Sequence, residues 1–203
     1  MDHEIVDTGA RTARSGKHSE YLFEGIPILQ HPGVSHVFPS LVRCFDRVVE
    51  LGTFNGAMAL YLRRVCRDDA EVVTFDIDAS LLMLPVDSGV DARWGDYFME
   101  GTQVDIRRLV SGTRRRVLLL CDGGYKQEEF RMFAPMLKPG DAIMVHDYAE
   151  TLEEYEEITR RIGWFDVADS CWDGVRGVVE SCGLRRHPMY EELKGVLWGA
   201  FVA

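Results

Sequence analysis

Runs of apolar, often β-branched residues that stop at a glycine or an acid, alternating with helix-period stretches, constrain this chain more than any other feature. "RVVEL" (47–51) ends at Gly52, and "GAMALYLRRVC" (56–66) then carries Ala59, Leu62, Val65 and Cys66 at helical spacing. "EVVTFDID" (71–78) ends in acids, and "DARWGDYF" (91–98) is a weaker strand. "RRVLLLCDGG" (115–124) is apolar on both faces and ends at Asp122, before a helix pattern that Pro135 shortens or kinks. "KPGDAIMVHDY" (138–148) is a turn and a strand ending at Asp147, and "TLEEYEEITRRI" (151–162) is a helix with Leu152, Tyr155, Ile158 and Ile162 on one stripe. The last residues, "MYEELKGVLWGAFVA" (189–203), read as two strands joined by a Lys-Gly turn. Strands alternating with helices predict an α/β fold, a Rossmann-like, doubly wound, mostly parallel sheet covered on both faces and closed by a C-terminal antiparallel hairpin. Ligands of such sheets bind at the carboxyl ends of the strands. Glu50, Gly52, Asp76, Asp96, Asp122, His146 and Asp147 are all placed at those ends and are expected to share one rim.

Residues 1–20 are polar and aperiodic and read as a flexible arm before a single domain over 21–203. A net charge of −10 argues against broad nucleic-acid binding. No apolar run is long enough to span a membrane. Five cysteines without a CxxC pair suit reduced thiols in a cytoplasmic compartment.

The glycine turn, Glu50-Leu51-Gly52-Thr53-Phe54-Asn55-Gly56, departs from the dinucleotide pattern G-x-G-x-x-G, because Phe54 stands where the pyrophosphate needs a glycine. What remains is E-x-G-x-x-x-G with an acid, Asp76, twenty residues after Gly56. An acid there can accept hydrogen bonds from both hydroxyls of a ribose, and Asp96 can accept one from an adenine amino group. With "ELGTFNGA", "TFDID" and "WGDYF" in this order, the chain resembles the class I S-adenosylmethionine-dependent methyltransferases. The resemblance implies that Gly52 and Gly56, with Thr53, Phe54 and Asn55 between them, flank the methionine part of the cofactor, Asp76 holds the ribose and Asp96 faces the adenine.

Asp122 ends one strand and His146-Asp147 the next, so the three are expected around one cation, Mg²⁺ or Mn²⁺. This half, with "FEGIPILQHPGVSH" (23–36), resembles the metal-dependent O-methyltransferases of small molecules and sugars, the macrocin and the cephalosporin-hydroxylase-like and rhamnosyl groups. The resemblance implies a small hydroxylated acceptor. Relatives carry an acid where this chain has His146, and a base where it has Gly124 and Tyr125, so the base stays open among Tyr125, Lys126, His146 and His31. Asp122 and Asp147 read equally as helix caps. A metal-free N- or C-methyltransferase and a non-catalytic cofactor-binding subunit stay open as well, as does a homo-oligomer.

Overall fold

The computed structural model describes residues 4–11, 19–161 and 170–203. In chain order the elements are β1 Val6–Arg11, β2 Ser19–Phe23, β3 Ile26–Ile28, α1 Val34–Val42, β4 Arg47–Leu51, α2 Ala57–Val65, β5 Glu71–Asp76, β6 Asp91–Trp94, α3 Glu100–Val110 and β7 Val117–Cys121. There follow α4 Lys126–Phe133, β8 Ala142–His146, β9 Tyr148–Ala149, α5 Leu152–Arg161, β10 Ser170–Cys171, α6 Trp172–Ser181, β11 Arg185–Arg186, α7 Tyr190–Lys194 and β12 Trp198–Val202.

Seven strands form the central sheet in the order β11-β12-β8-β7-β4-β5-β6. β4 to β8 run parallel, whereas β12 is antiparallel to β8 and β11 to β12. The strand order reverses at β4, which lies between β5 and β7, and that reversal opens a crevice outside their carboxyl ends.

Alternation along each inner strand feeds two cores. Val48 of β4, Leu118 and Leu120 of β7 and Met144 of β8 pack on one face with α1 and α2. Val49, Leu119, Cys121, Ile143 and Val145 pack on the other with α3, α4 and α6. A strand buried on both faces cannot alternate apolar with polar residues, which is why "VLLLC" is apolar throughout. Pro135 ends α4 in a single 3₁₀ turn, as its missing N–H requires.

The structure differs from expectation in three places. The chain does end in an antiparallel pair, but its first strand is Arg185–Arg186, and "YEELK" is helix α7, burying Tyr190 and Leu193 one turn apart. Leu152 of α5 is exposed, and Ile162, expected on the same stripe, lies outside the described residues. The arm expected over residues 1–20 also falls partly outside them; its part Val6–Arg11 is a strand paired with β2. No helix among the described residues is long and apolar enough to cross a membrane.

Candidate functional site

The turn from β4 into α2 is built by close backbone approach. Gly52 has φ 101°, and a Cβ there would lie 2.4 Å from the Asp122 carbonyl oxygen. Gly56 has φ 86°, and its Cβ would lie 2.5 Å from Cγ of Leu84. Both glycines thus take the left-handed backbone and pack too closely on their neighbours for any side chain. Phe54, between them, also takes a positive φ, 49°, which costs a non-glycine residue about 1–2 kcal/mol. Asp76 holds it there: Oδ2 accepts the Phe54 N–H at 2.7 Å and Oδ1 the Asp78 N–H at 3.1 Å. Asn55 ties the turn to β3, donating to the Pro27 carbonyl at 2.6 Å and accepting the Ala57 N–H at 3.1 Å.

Glu50 lies fully buried beneath this turn. Its Oε2 accepts from the Thr74 hydroxyl at 2.5 Å, which in turn lies 2.6 Å from that of Thr53. Oε1 has no partner among the described residues. Burial drives the Glu50 carboxyl well above the ordinary carboxylate range, against the hydrogen bond from Thr74.

The second half of the site comes from the neighbouring ends of β7 and β8. His146 Nδ1 lies 2.6 Å from Asp122 Oδ1 and 3.6 Å from Asp147 Oδ2. Only a protonated Nδ1 satisfies two carboxylates, which leaves Nε2 as the second site; it has no hydrogen-bond partner among the described residues. The other Asp122 oxygen accepts from Gln30 Nε2 at 2.8 Å, and Gln30 Oε1 accepts from Trp198 Nε1 at 3.0 Å. Asp147 is strained, with φ 52°, in a conformation Asp tolerates better than most residues. Its Oδ2 lies 3.0 Å from Lys126 Nζ, and both side chains are about nine-tenths buried. Neither acid caps a helix: Thr151 accepts the Glu154 N–H at the start of α5, and α4, with Tyr125 before its first residue, has no side-chain cap. Burial opposes the charge of His146, yet Asp122 and Asp147 beside it raise its pKa above that of an ordinary imidazole. Burial likewise opposes the Asp147 carboxylate, and His146 and Lys126 hold its pKa below the usual value.

Gln30, Trp198 and Glu129 are parts of this region that the sequence did not mark as site residues. Glu129 of α4 is fully buried and folds back to accept the N–H groups of Gly123 and Tyr125, each at 3.2 Å. Burial raises its pKa to about 7 against those bonds. A glutamate in the first turn, after Asp-Gly-Gly, was the available signal.

These two halves meet on one cavity of about 400 Å³. Of the expected residues, Gly52, Thr53, Phe54, Asn55, Asp76, Asp122, Lys126, His146 and Asp147 line it. Glu50, Gly56, Asp96, Tyr125 and His31 do not. Asp96 spends Oδ1 on the Phe98 N–H at 2.8 Å, and Tyr125 is 65% exposed beside the Phe98 ring. His31 Nδ1 accepts from the Gly33 N–H.

No family model and no curated protein matches the sequence. Solved structures do match the fold. CmcI in its apo form superposes with a TM-score of 0.65 at 16% identity, over 90% of this chain and 75% of that one. CmcI with Mg and SAM gives 0.64 at 15% identity, over 97% and 82%. Human N-acetylserotonin methyltransferase in complex with SAM gives 0.50 at 15% identity, over 85% and 52%. The chain has the class I methyltransferase fold. Within this methyltransferase fold the first half of the cavity fits S-adenosylmethionine in kind: a carboxylate at the end of β5, a strained turn over β4 and a volume within the range of small-molecule sites. The second half does not fit the divalent cation expected at Asp122, His146 and Asp147. Both Asp122 oxygens already accept N–H groups, the protonated nitrogen of His146 faces the acids, and Lys126 is seated on Asp147. Among the described residues no group of three or more His, Cys, Asp or Glu is arranged to hold a metal ion.

Proposed function

We propose that this protein transfers a methyl group from S-adenosylmethionine to a hydroxyl of a small molecule. One observation carries the reading: a single cavity joins Asp76 and the β4–α2 turn to the hydrogen-bonded pair Asp122 and His146. Asp76 would take the ribose hydroxyls, and residues 52–55 the methionine part. Bound there, S-adenosylmethionine supplies a methyl already activated by its sulfonium. The chain's own contribution is orientation and one proton transfer. Asp122 holds the Nδ1–H of His146, and Gln30 fixes Asp122. His146 then takes the acceptor hydroxyl proton on Nε2, which favours it over Tyr125, Lys126 and His31 as the base. The Mg²⁺ or Mn²⁺ implied by resemblance has no free donor set among the described residues and forms no part of this reading. The five free cysteines suit a reducing, cytoplasmic setting.

The test is calorimetry with S-adenosylhomocysteine, followed by methyl transfer to a panel of phenols, sugars and other hydroxylated compounds. Binding and turnover are expected, with a rate that rises with pH through the raised pKa of His146 and is lost in His146→Asn while cofactor affinity persists. Turnover only on amines or carbon acids would reassign the acceptor. Binding without turnover would leave a cofactor-binding subunit.

A further inference from the structure

We infer that Lys126 is a built-in cation, standing on Asp147 where a metal-dependent site would seat a divalent ion. The acceptor chemistry rests on the function proposed above; the charge argument does not.

Asp122 and Asp147 leave neighbouring parallel strands whose register pairs Cys121 with Val145, so the two acids are forced toward one point. Two carboxylates brought out of water need compensating positive charge nearby. The chain supplies it from within. Gly123, Gly124 and Tyr125 turn the backbone from the end of β7 into α4, and Lys126 is the first helical residue. Its side chain is delivered back to the strand ends, with Nζ 3.0 Å from Asp147 Oδ2. That same oxygen lies 3.6 Å from His146 Nδ1, so it faces positive or hydrogen-bond-donating atoms on two sides. Thr151 caps α5, so Asp147 is not needed there. Its left-handed backbone, φ 52°, is strain that a purely surface acid would have no reason to hold.

An ion entering this centre would have to displace the ammonium from Asp147 or share the oxygen with it against direct repulsion. The cation is therefore fixed and monovalent, and it lines the cavity. An ammonium differs from Mg²⁺ in what it can do: it donates up to three hydrogen bonds but offers no exchangeable water site. Lys126 thus positions Asp147, and the centre has no use for a metal.

The experiment is titration of Mn²⁺ and Mg²⁺ into the EDTA-treated full chain, as wild type, Lys126→Ala, Lys126→Arg and Lys126→Ala/Asp147→Asn. Wild type and Lys126→Arg should show no stoichiometric binding. Lys126→Ala should gain Mn²⁺ affinity by about tenfold or more, and the added Asp147→Asn change should abolish the gain. Stoichiometric Mn²⁺ binding to wild type would overturn the inference. So would a folded Lys126→Ala that gains nothing, its fold judged by the melting transition, with Lys126→Gln as the substitute if the alanine variant does not fold. A parallel titration with S-adenosylhomocysteine separates the two readings: its failure removes the proposed function, whereas the Mn²⁺ result stands on its own.

Discussion

Trp198 lies directly opposite His146 across the β8–β12 ladder, their rings 4.6 Å apart and tilted by 30°. The indole walls one side of the imidazole and, through Nε1, anchors the Gln30 amide that grips Asp122. His146 is held by a face and by an edge at once.

Gln30→Leu should expose how much that grip matters. It leaves Trp198 Nε1 and Asp122 Oδ2 without partners, a cost of about 1–3 kcal/mol in urea denaturation. Turnover should fall by about tenfold or more at unchanged S-adenosylhomocysteine affinity, because Gln30 acts on the β7 and β8 end of the cavity. Equal loss of affinity and turnover would show that Gln30 merely supports the fold.

Gly52→Ala should be among the most damaging small changes in the chain. The atoms its Cβ would meet are backbone, at 2.4–2.7 Å, and cannot swing aside. A loss of about 2–4 kcal/mol is expected. Gly124→Ala is the control, since its Cβ would meet nothing within 4 Å. It should change stability by less than about 1 kcal/mol.

Asp76→Ala should weaken S-adenosylhomocysteine binding by about 10- to 100-fold in calorimetry, the scale of lost charged hydrogen bonds. It also releases the strained Phe54. Asp78 is turned onto Ser80, at 2.8 Å for each oxygen, and the resemblance gives the ribose to Asp76, so Asp78→Ala should stay within about threefold. A larger loss at Asp78 would move the ribose acid by two residues.

Glu129 gives a pH signature. Its pKa rises on folding, from 4.5 to about 7, so the native state holds this proton more tightly than the unfolded chain. The group therefore favours folding at low pH and withdraws that contribution as pH climbs from 4.5 to about 7, beyond which its effect is constant. Glu129→Gln, which cannot ionise, should flatten the fall over that window in denaturation at stepped pH. An unchanged slope would mean that Glu129 titrates as an ordinary surface acid.

The parallel sheet was legible because its buried strands are near-continuous apolar runs, and the rim was legible because each run stops at a polar residue. Asp76, Asp122, His146 and Asp147 follow from that rule. Gln30 and Trp198 did not, since nothing local marks a residue whose partner is far along the chain. The glycine loop was legible from its spacing, and the structure adds close contacts with Asp122 and Leu84 that nothing local announces. "YEELK" was misread because the Lys-Gly pair after it looks like a hairpin turn, although Tyr190 and Leu193, three apart, fit the helical period, and packing against β12 decides it. Helix α6 contains Gly174 and Gly177, poor formers, and depends on burial of Val175 and Val179.

The Gln30 amide spans 92 residues to Asp122 and 168 to Trp198. Contacts of such separation carry a large loop-closure cost, and the one with Trp198 needs β12 in register beside β8. The β4–α2 turn and β5 are built from neighbouring stretches of chain, whereas the orientation of His146 depends on contacts that join the two ends of the molecule.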